Sequence, residues 1–250
     1  MISSLASSYK IIDNHAHYTK LLLDLTLARA NSGSKMTKRI VDISLTFVAG
    51  MRGVEMNQHT TIAKEGFNTT MLHLYSHAGT HMDAPRHFLQ EGKTIENIRL
   101  EKCIGPALVV DLSHAAPNSL LHVDDLSHIA NKIGVGTRLL LRTDWDTHAE
   151  LDDYRTHMPR ISADLATWLV EKGVILIGLE TPSVASLRPE NKSELTEVHQ
   201  ILLRAEMVIV ESLADLRALT QEVVEFIALP LKLDQRDGSP VRAIAIEDVQ

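Results

Sequence analysis

Residues 75–88 read Tyr75-Ser76-His77-Ala78-Gly79-Thr80-His81-Met82-Asp83-Ala84-Pro85-Arg86-His87-Phe88. The polar residues His77, His81, Asp83 and His87 are separated by four, two and four positions and surround a Gly-Thr pair. A helix would place His77 and His81 on one face, because side chains four apart are neighbours there. Gly79 and Thr80 weaken that helix, and Pro85 removes a backbone donor and pushes Ala84 out of the α region. The stretch reads instead as a strand end running into a turn. Strand alternation then puts His81 and Asp83 on one face, and Gly79 gives the backbone freedom for His77 to converge on them. Two imidazoles and a carboxylate suit Zn2+, Mn2+ or Fe2+ and leave coordination positions open, which distinguishes a catalytic from a structural site. His73 falls outside this spacing and reads as a packing residue or a neighbour of the ligands.

The rest of the chain sets the context. Its 250 residues are 44% hydrophobic and 23% charged, which suits one compact domain, or one domain with an appendage. A net charge of −7 argues against a nucleic-acid partner, which needs a basic surface. Thirteen histidines outnumber the Phe, Trp and Tyr residues (4, 2 and 4) taken together. The one cysteine, Cys103, excludes a disulfide framework and a Cys-rich zinc module, and reads as a small buried apolar residue. No apolar run approaches the roughly 20 residues of a membrane span. The first apolar run, Leu21-Leu22-Leu23, is cut by Asp24 and lacks a secretory pattern. The expectation is a cytoplasmic protein with no membrane partner.

Residues 1–39 carry six Lys or Arg against two Asp or Glu, and the remainder 19 against 30. Tyr18, Leu21, Leu22 and Leu25 have amphipathic-helix spacing and 31–35 reads as a linker. Residues 1–39 are therefore expected to form an arm, either frayed or packed on another subunit, ahead of a domain over 40–250. Segments 41–47, 70–75, 106–112, 138–142, 174–179, 207–210, 226–233 and 241–246 are short, apolar and rich in branched residues, as buried strands are. A helix starts after Ser162 and stops at Gly173, a second follows Ser193, and a weaker one covers 124–132. Strands outnumber helices without strict alternation. The fold class expected is α/β, with a mixed, partly barrel-like sheet and flanking helices. Neither GxGxxG nor GxxxxGK[ST] occurs, so no nucleotide loop is signalled.

The histidine stretch resembles the HxGTHxDxPxH signature of the cyclase family of metal-dependent amide hydrolases, whose members include bacterial kynurenine formamidase and isatin hydrolase. The resemblance runs from about Ile40 to the C-terminus. Ile104-Gly105-Pro106 leading into Val109-Val110-Asp111-Leu112, Arg142-Thr143-Asp144-Trp145, Gly178-Leu179-Glu180-Thr181-Pro182-Ser183 and Asp237-Gly238-Ser239-Pro240 are similar to further family segments. It implies a swivelling β/β/α fold, and His77, His81 and Asp83 as ligands of a first metal. It also implies His87 as the catalytic acid/base, and His199 with Glu211 completing a second site shared with Asp83. Zn2+ or Mn2+, one or two ions per subunit, and a homodimer or homotetramer follow from the same resemblance. Glu211 has independent support, because it ends the otherwise apolar run Met207-Val208-Ile209-Val210, where a carboxylate is unfavourable unless paired or metal-bound.

Two departures stand out. Glu180 replaces the family's usual Asp, and Arg160 stands where Gly is common. Glu180, Thr181 and Ser183 are candidates for substrate contact, with loop capping and turn formation the alternatives. Residues 51–55 lie where the family's variable substrate loop begins and lack a Trp-rich pattern, which argues against N-formylkynurenine. The reaction implied is hydrolysis of the C–N bond of a small cyclic or N-acyl amide, such as isatin or N-formylkynurenine. A lactonase, a dehydratase-like enzyme and a non-catalytic metal or small-ligand binding protein are the alternatives.

Overall fold

The computed structural model describes residues 37–249. The arm lies outside the described residues except for 37–39, which open the first strand. Twelve strands are described: β1 Thr37–Asp42, β2 Val54–Thr60, β3 Thr69–Leu74, β4 His81–Asp83, β5 Ile104–Asp111, β6 Leu120–Leu121, β7 Arg138–Arg142, β8 Arg160–Ile161, β9 Leu176–Leu179, β10 Val208–Glu211, β11 Val223–Pro230 and β12 Gly238–Val249. The two longer helices are α1, Ala163–Glu171, and α2, Lys192–Arg204.

Seven strands close into a ring in the order β12-β11-β5-β7-β9-β10-β4, with β4 pairing back onto β12 and β1 attached to β12. β5, β7, β9 and β10 run parallel, while β11, β12 and β4 join through antiparallel pairings. Closure depends on the length of β12, whose residues 238–240 pair with β4 and 241–246 with β11. The expected mixed, barrel-like sheet is therefore the observed one.

Alternation along the parallel strands divides the core in two. Leu139 and Leu141 of β7, with Ile177 and Leu179 of β9, pack against Leu165 and Leu169 of α1 and Val198 and Leu202 of α2. Leu140, Leu176, Val208 and Val210 point the other way, to Phe226, Met82 and Ala243 inside the ring. Buried on both faces, these strands read as continuous apolar runs. In α1, Ser162 Oγ accepts from Leu165 N at 3.0 Å, and Gly173 takes a left-handed φ of +76° just beyond the end.

Three elements differ from expectation. Strand 41–47 stops at Asp42, because side chains replace ladder partners: Ser44 Oγ accepts from Ala243 N, and Thr80 Oγ1 accepts from Leu45 N, both at 2.8 Å. Ser193 lies inside α2, with Asn191 at the cap. Residues 123–129 tighten to a 3-10 helix, with Asp125 accepting from His122 N. Three strands fall outside the expected segments: β6 and β8, two residues each, which pair with one another, and β2, which is polar along most of its length and pairs with β3 as an outlying ribbon.

Candidate metal centre

Register assembles the centre. β4 pairs antiparallel with β10 so that Glu211 stands opposite His81 and Ile209 opposite Asp83. Alternation puts His81, Asp83, Ile209 and Glu211 on the face covered by α2, while Met82, Val208 and Val210 point into the ring. Helix α2 brings His199 down onto the same face. Gly79, at φ +52°, turns the chain ahead of β4. The Pro85–His87 3-10 turn carries His87 back until its ring stacks on that of His77, centroids 3.9 Å apart.

Asp83 is the hub. Its Oδ1 lies 2.9 Å from His77 Nδ1 and 3.6 Å from His81 Nε2. Its Oδ2 lies 3.8 Å from His199 Nε2 and has no hydrogen-bond partner, although Asp83 is fully buried. Glu211 Oε2 is 3.3 Å from His81 Nε2, and Oε1 is 3.5 Å from His199 Nε2 and accepts from Val184 N at 2.8 Å. His81 Nδ1 sits 2.8 Å from the Gly79 carbonyl and His199 Nδ1 2.7 Å from the Leu195 carbonyl. A carbonyl only accepts, so each Nδ1 donates its proton there, and each Nε2 is aimed at the two carboxylates, where it can donate a proton to them or, deprotonated, a lone pair to an ion.

Charge follows this geometry. Burial opposes ionisation of Glu211, but His199 and His81 hold its carboxyl well below the usual range. Burial and Glu211 likewise oppose charge on Asp83, yet His77 and His87 keep it low. Burial disfavours protonated His77, but Asp83 and Asp237 outweigh it and lift its pKa to about 9. Burial, with the cations His77 and His199 beside it, lowers that of His87.

Two groups of three can each hold an ion: His77, Asp83 and His87, and His81, Asp83 and Glu211. A fully buried carboxylate oxygen without a donor is costly, and a set of imidazoles and carboxylates is the donor set of a Zn2+ or Mn2+ site. The residues present therefore fit a divalent ion. They are grouped differently from the expected first site, since His77 falls with His87 and His81 with Glu211 around the shared Asp83.

Glu180, Thr181 and Ser183 occupy buried turn positions. Glu180 Oε2 accepts from Thr143 N and Asp144 N at 2.7 and 2.6 Å, and Oε1 from Leu216 N at 3.0 Å. Both oxygens are thus committed to tying two loops to β9. Thr181 Oγ1 donates to the Ser183 carbonyl, and Ser183 Oγ accepts from Ala185 N. These bonds place all three in loop capping and turn formation, the alternatives to substrate contact. Arg160, the other departure, pairs with Glu194 at 2.6 Å. His73 is exposed on β3 and does not support the ligands. Cys103 is buried, its thiol pushed up to about 11 by burial, consistent with an apolar role.

One participant escaped the sequence. Asp237 Oδ2 lies 2.7 Å from His77 Nε2 and 3.6 Å from His87 Nδ1. Asp237-Gly238 reads as a turn signal, and only the β12–β4 pairing brings it to the histidines.

Residues 41–186 match the cyclase family model, described as "Putative cyclase". The chain belongs to the cyclase family. A kynurenine formamidase of Bacillus cereus is 36% identical over 181 residues, covering 71% of this chain and 79% of that protein. A kynurenine formamidase of Bordetella petrii is 36% identical over 180 residues, covering 72% and 81%. The fold is shared with an isatin hydrolase solved with the product analogue thioisatinate, at a TM-score of 0.74 and 23% identity over 95% of this chain and 100% of that one. It is also shared with a structure described as a "potential metal-dependent hydrolase with cyclase activity", at a TM-score of 0.70 and 23% identity, covering 86% and 100%. These relatives are hydrolases, and the chain is an enzyme of that family. Among the described residues no helix is long and apolar enough to cross a membrane.

Proposed function

We propose that this protein is a metal-dependent amidohydrolase that cleaves the C–N bond of a small N-formyl, N-acyl or cyclic amide in the cytoplasm. The observation that carries the reading is the unpartnered, fully buried Oδ2 of Asp83 among His77, His81, His199 and Glu211. His81, Asp83 and Glu211, with His199 beside them, would hold one Zn2+ or Mn2+, and His77 with Asp83 would serve a second. An ion held there supplies Lewis acidity, polarising a carbonyl and acidifying water toward a pKa of about 7.

The chain's own groups do the rest. His87 is about a quarter exposed, so it is the cluster histidine most open to a reactant. Its lowered pKa keeps it neutral near pH 7, ready to take a proton from water and return it to the leaving nitrogen. Asp237 Oδ2 is hydrogen-bonded to His77 Nε2 and lies 3.6 Å from His87 Nδ1, so its charge faces that side of the ring and Nε2 is the nitrogen proposed to work. The test is turnover of N-formylkynurenine and isatin by protein loaded with Zn2+ or Mn2+, and its loss on chelation. Absence of turnover by metal-loaded protein on these and other N-acyl amides would overturn the reading.

The assembly proposed is a homodimer or homotetramer. On the β2–β3 ribbon, Val54 faces Leu74 and Met56 faces Leu72. Val54 is buried, but Met56 and Leu72 further out are exposed, so an apolar face projects uncovered. A two-stranded ribbon is marginal alone, and a second copy of this chain is the cover proposed. Sedimentation of the wild type against Leu72→Glu checks this: a monomeric wild type sinks it.

A further inference from the structure

Among the described residues, a cavity of about 80 Å3 is lined by three arginines, Arg155, Arg160 and Arg188. Their charges are met unequally. Arg160 Nε donates to Glu194 Oε1 at 2.6 Å. Arg188 Nε donates to the Thr156 carbonyl at 2.6 Å and its Nη2 to Asn118 Oδ1 at 2.8 Å, so both partners are neutral. Arg155 is half-buried and makes no hydrogen bond or ion pair among the described residues. By contrast, Arg142, similarly half-buried, is clasped by Asp111 and Asp144. A guanidinium drawn partly out of water without an acceptor is unfavourable, and burial, with Arg52 nearby, lowers the pKa of Arg155.

Arg155 and Arg188 therefore line the cavity with no carboxylate paired to either, while Glu194 Oε1 is taken by Arg160 and by Ser186 N at 3.2 Å, in a chain whose net charge is −7. General basicity does not explain them. The planar fork of arginine matches the paired oxygens of a carboxylate or phosphate. Ser186 Oγ accepts from Arg188 N at 3.3 Å and from Asn191 Nδ2 at 2.9 Å, which leaves its own proton to donate. A cavity of this size admits a group of a few heavy atoms.

We propose that this cavity is an oxyanion site, in which Arg155 and Arg188, with Ser186 as a further donor, hold a small carboxylate or phosphate. Arg155 also feels the charge of Glu211, which favours its charged form and sets its guanidinium toward the metal centre. The anion has two sources: an acidic group of the substrate, or a free anion. The first rests on the amidohydrolase reading; binding itself does not.

Calorimetric titration with sodium phosphate and with benzoate, using benzamide as the neutral control, tests the site in wild type and Arg155→Gln. Wild type is expected to bind at least one anion and not benzamide, and Arg155→Gln to weaken that binding at least about tenfold. Because Arg155 has no partner to lose, the variant should keep or raise the wild-type Tm, whereas a structural arginine would lower it. Should Arg155→Gln fail to fold, Arg155→Lys keeps the charge without the fork and should bind more weakly than wild type. A KM that rises in the variant for an N-formyl amino acid, but not for its methyl ester, assigns the site to the substrate's carboxylate. Lost anion binding with unchanged KM assigns it to a free anion. No anion binding by wild type, or equal binding by the variant, overturns the site. Anion binding by a protein that hydrolyses no amide overturns only the substrate source.

Discussion

His199 Nε2 and Asp83 Oδ2 face each other at 3.8 Å, too far for a hydrogen bond, and the oxygen has no other donor. The helix and the strand that carry them are both anchored. His199 is held by its bond to the Leu195 carbonyl, and Asp83 by β4 paired on both sides. The gap is therefore built in, and it has the polarity of a cation site.

Asp83→Ala should lose metal. Asp83 is the one residue common to both candidate groups, so its removal should weaken binding well beyond the roughly 10–100-fold seen for residues that only orient ligands. Metal content after gel filtration, by elemental analysis, is the check. Stoichiometric metal in this variant would remove Asp83 from the ligand set. The metal-loaded wild type should also melt higher than the variant, because binding to the folded state stabilises it.

His87→Ala separates catalysis from binding. If His87 moves protons, kcat should fall by about 10²–10⁴-fold with metal content near that of wild type. His77, His81, Glu211 and His199 all remain to hold the ion. Loss of metal together with activity would make His87 a ligand, as its grouping with His77 and Asp83 allows.

Glu180 predicts a pH-dependent stability. Burial and the nearby Asp146 raise its pKa from 4.5 to about 7, against the three backbone N–H bonds that favour the charged form. The folded state thus holds a proton that the unfolded chain releases near pH 4.5. The unfolded state binds fewer protons in this window, so stability falls as pH rises from about 4.5 to about 7 and is flat above. The loss is roughly 3 kcal/mol at most. Glu180→Gln should lose the bond to Leu216 N and be less stable at pH 4.5, yet show a flatter Tm curve up to pH 7. Parallel curves for the two proteins would show that Glu180 does not titrate there.

Much of this was legible because it is local. The Gly79 turn, the alternation of His81 and Asp83 and the break at Pro85 are properties of adjacent residues, and Glu211 betrayed itself as a lone carboxylate closing an apolar strand. Asp237 did not, because its role depends on a register made more than 150 positions away in sequence from His77. Glu180 stands out in the sequence as a departure, but only the loops at Thr143 and Leu216 reveal that its carboxylate is spent on backbone. Half of the ribbon is legible: β3 carries Met71, Leu72 and Leu74, whereas β2 is mostly polar and gains its strand form from pairing.

Gly238 tests how closely the ring holds the site. A Cβ there would lie 2.8 Å from His77 Cε1 and 2.8 Å from the Met82 carbonyl oxygen. The carbonyl belongs to β4, so relieving that contact shifts the strand that carries His81 and Asp83, and relieving the other shifts the imidazole. Displacing it strains the bond from His77 Nε2 to Asp237 Oδ2 and the one from Nδ1 to Asp83 Oδ1. Overpacking of this kind costs about 1–3 kcal/mol. Gly238→Ala should therefore lower Tm, weaken metal binding by about 10-fold or more, in the range for residues that orient ligands, and reduce activity, although Gly238 has no side chain to offer an ion. Gly134→Ala is the control, since a Cβ there meets nothing within 4 Å, and it should leave metal affinity unchanged. Equal metal affinity in the two variants would mean that neither His77 nor the β4 strand is held closely by Gly238, and that the ring does not set the geometry of the site.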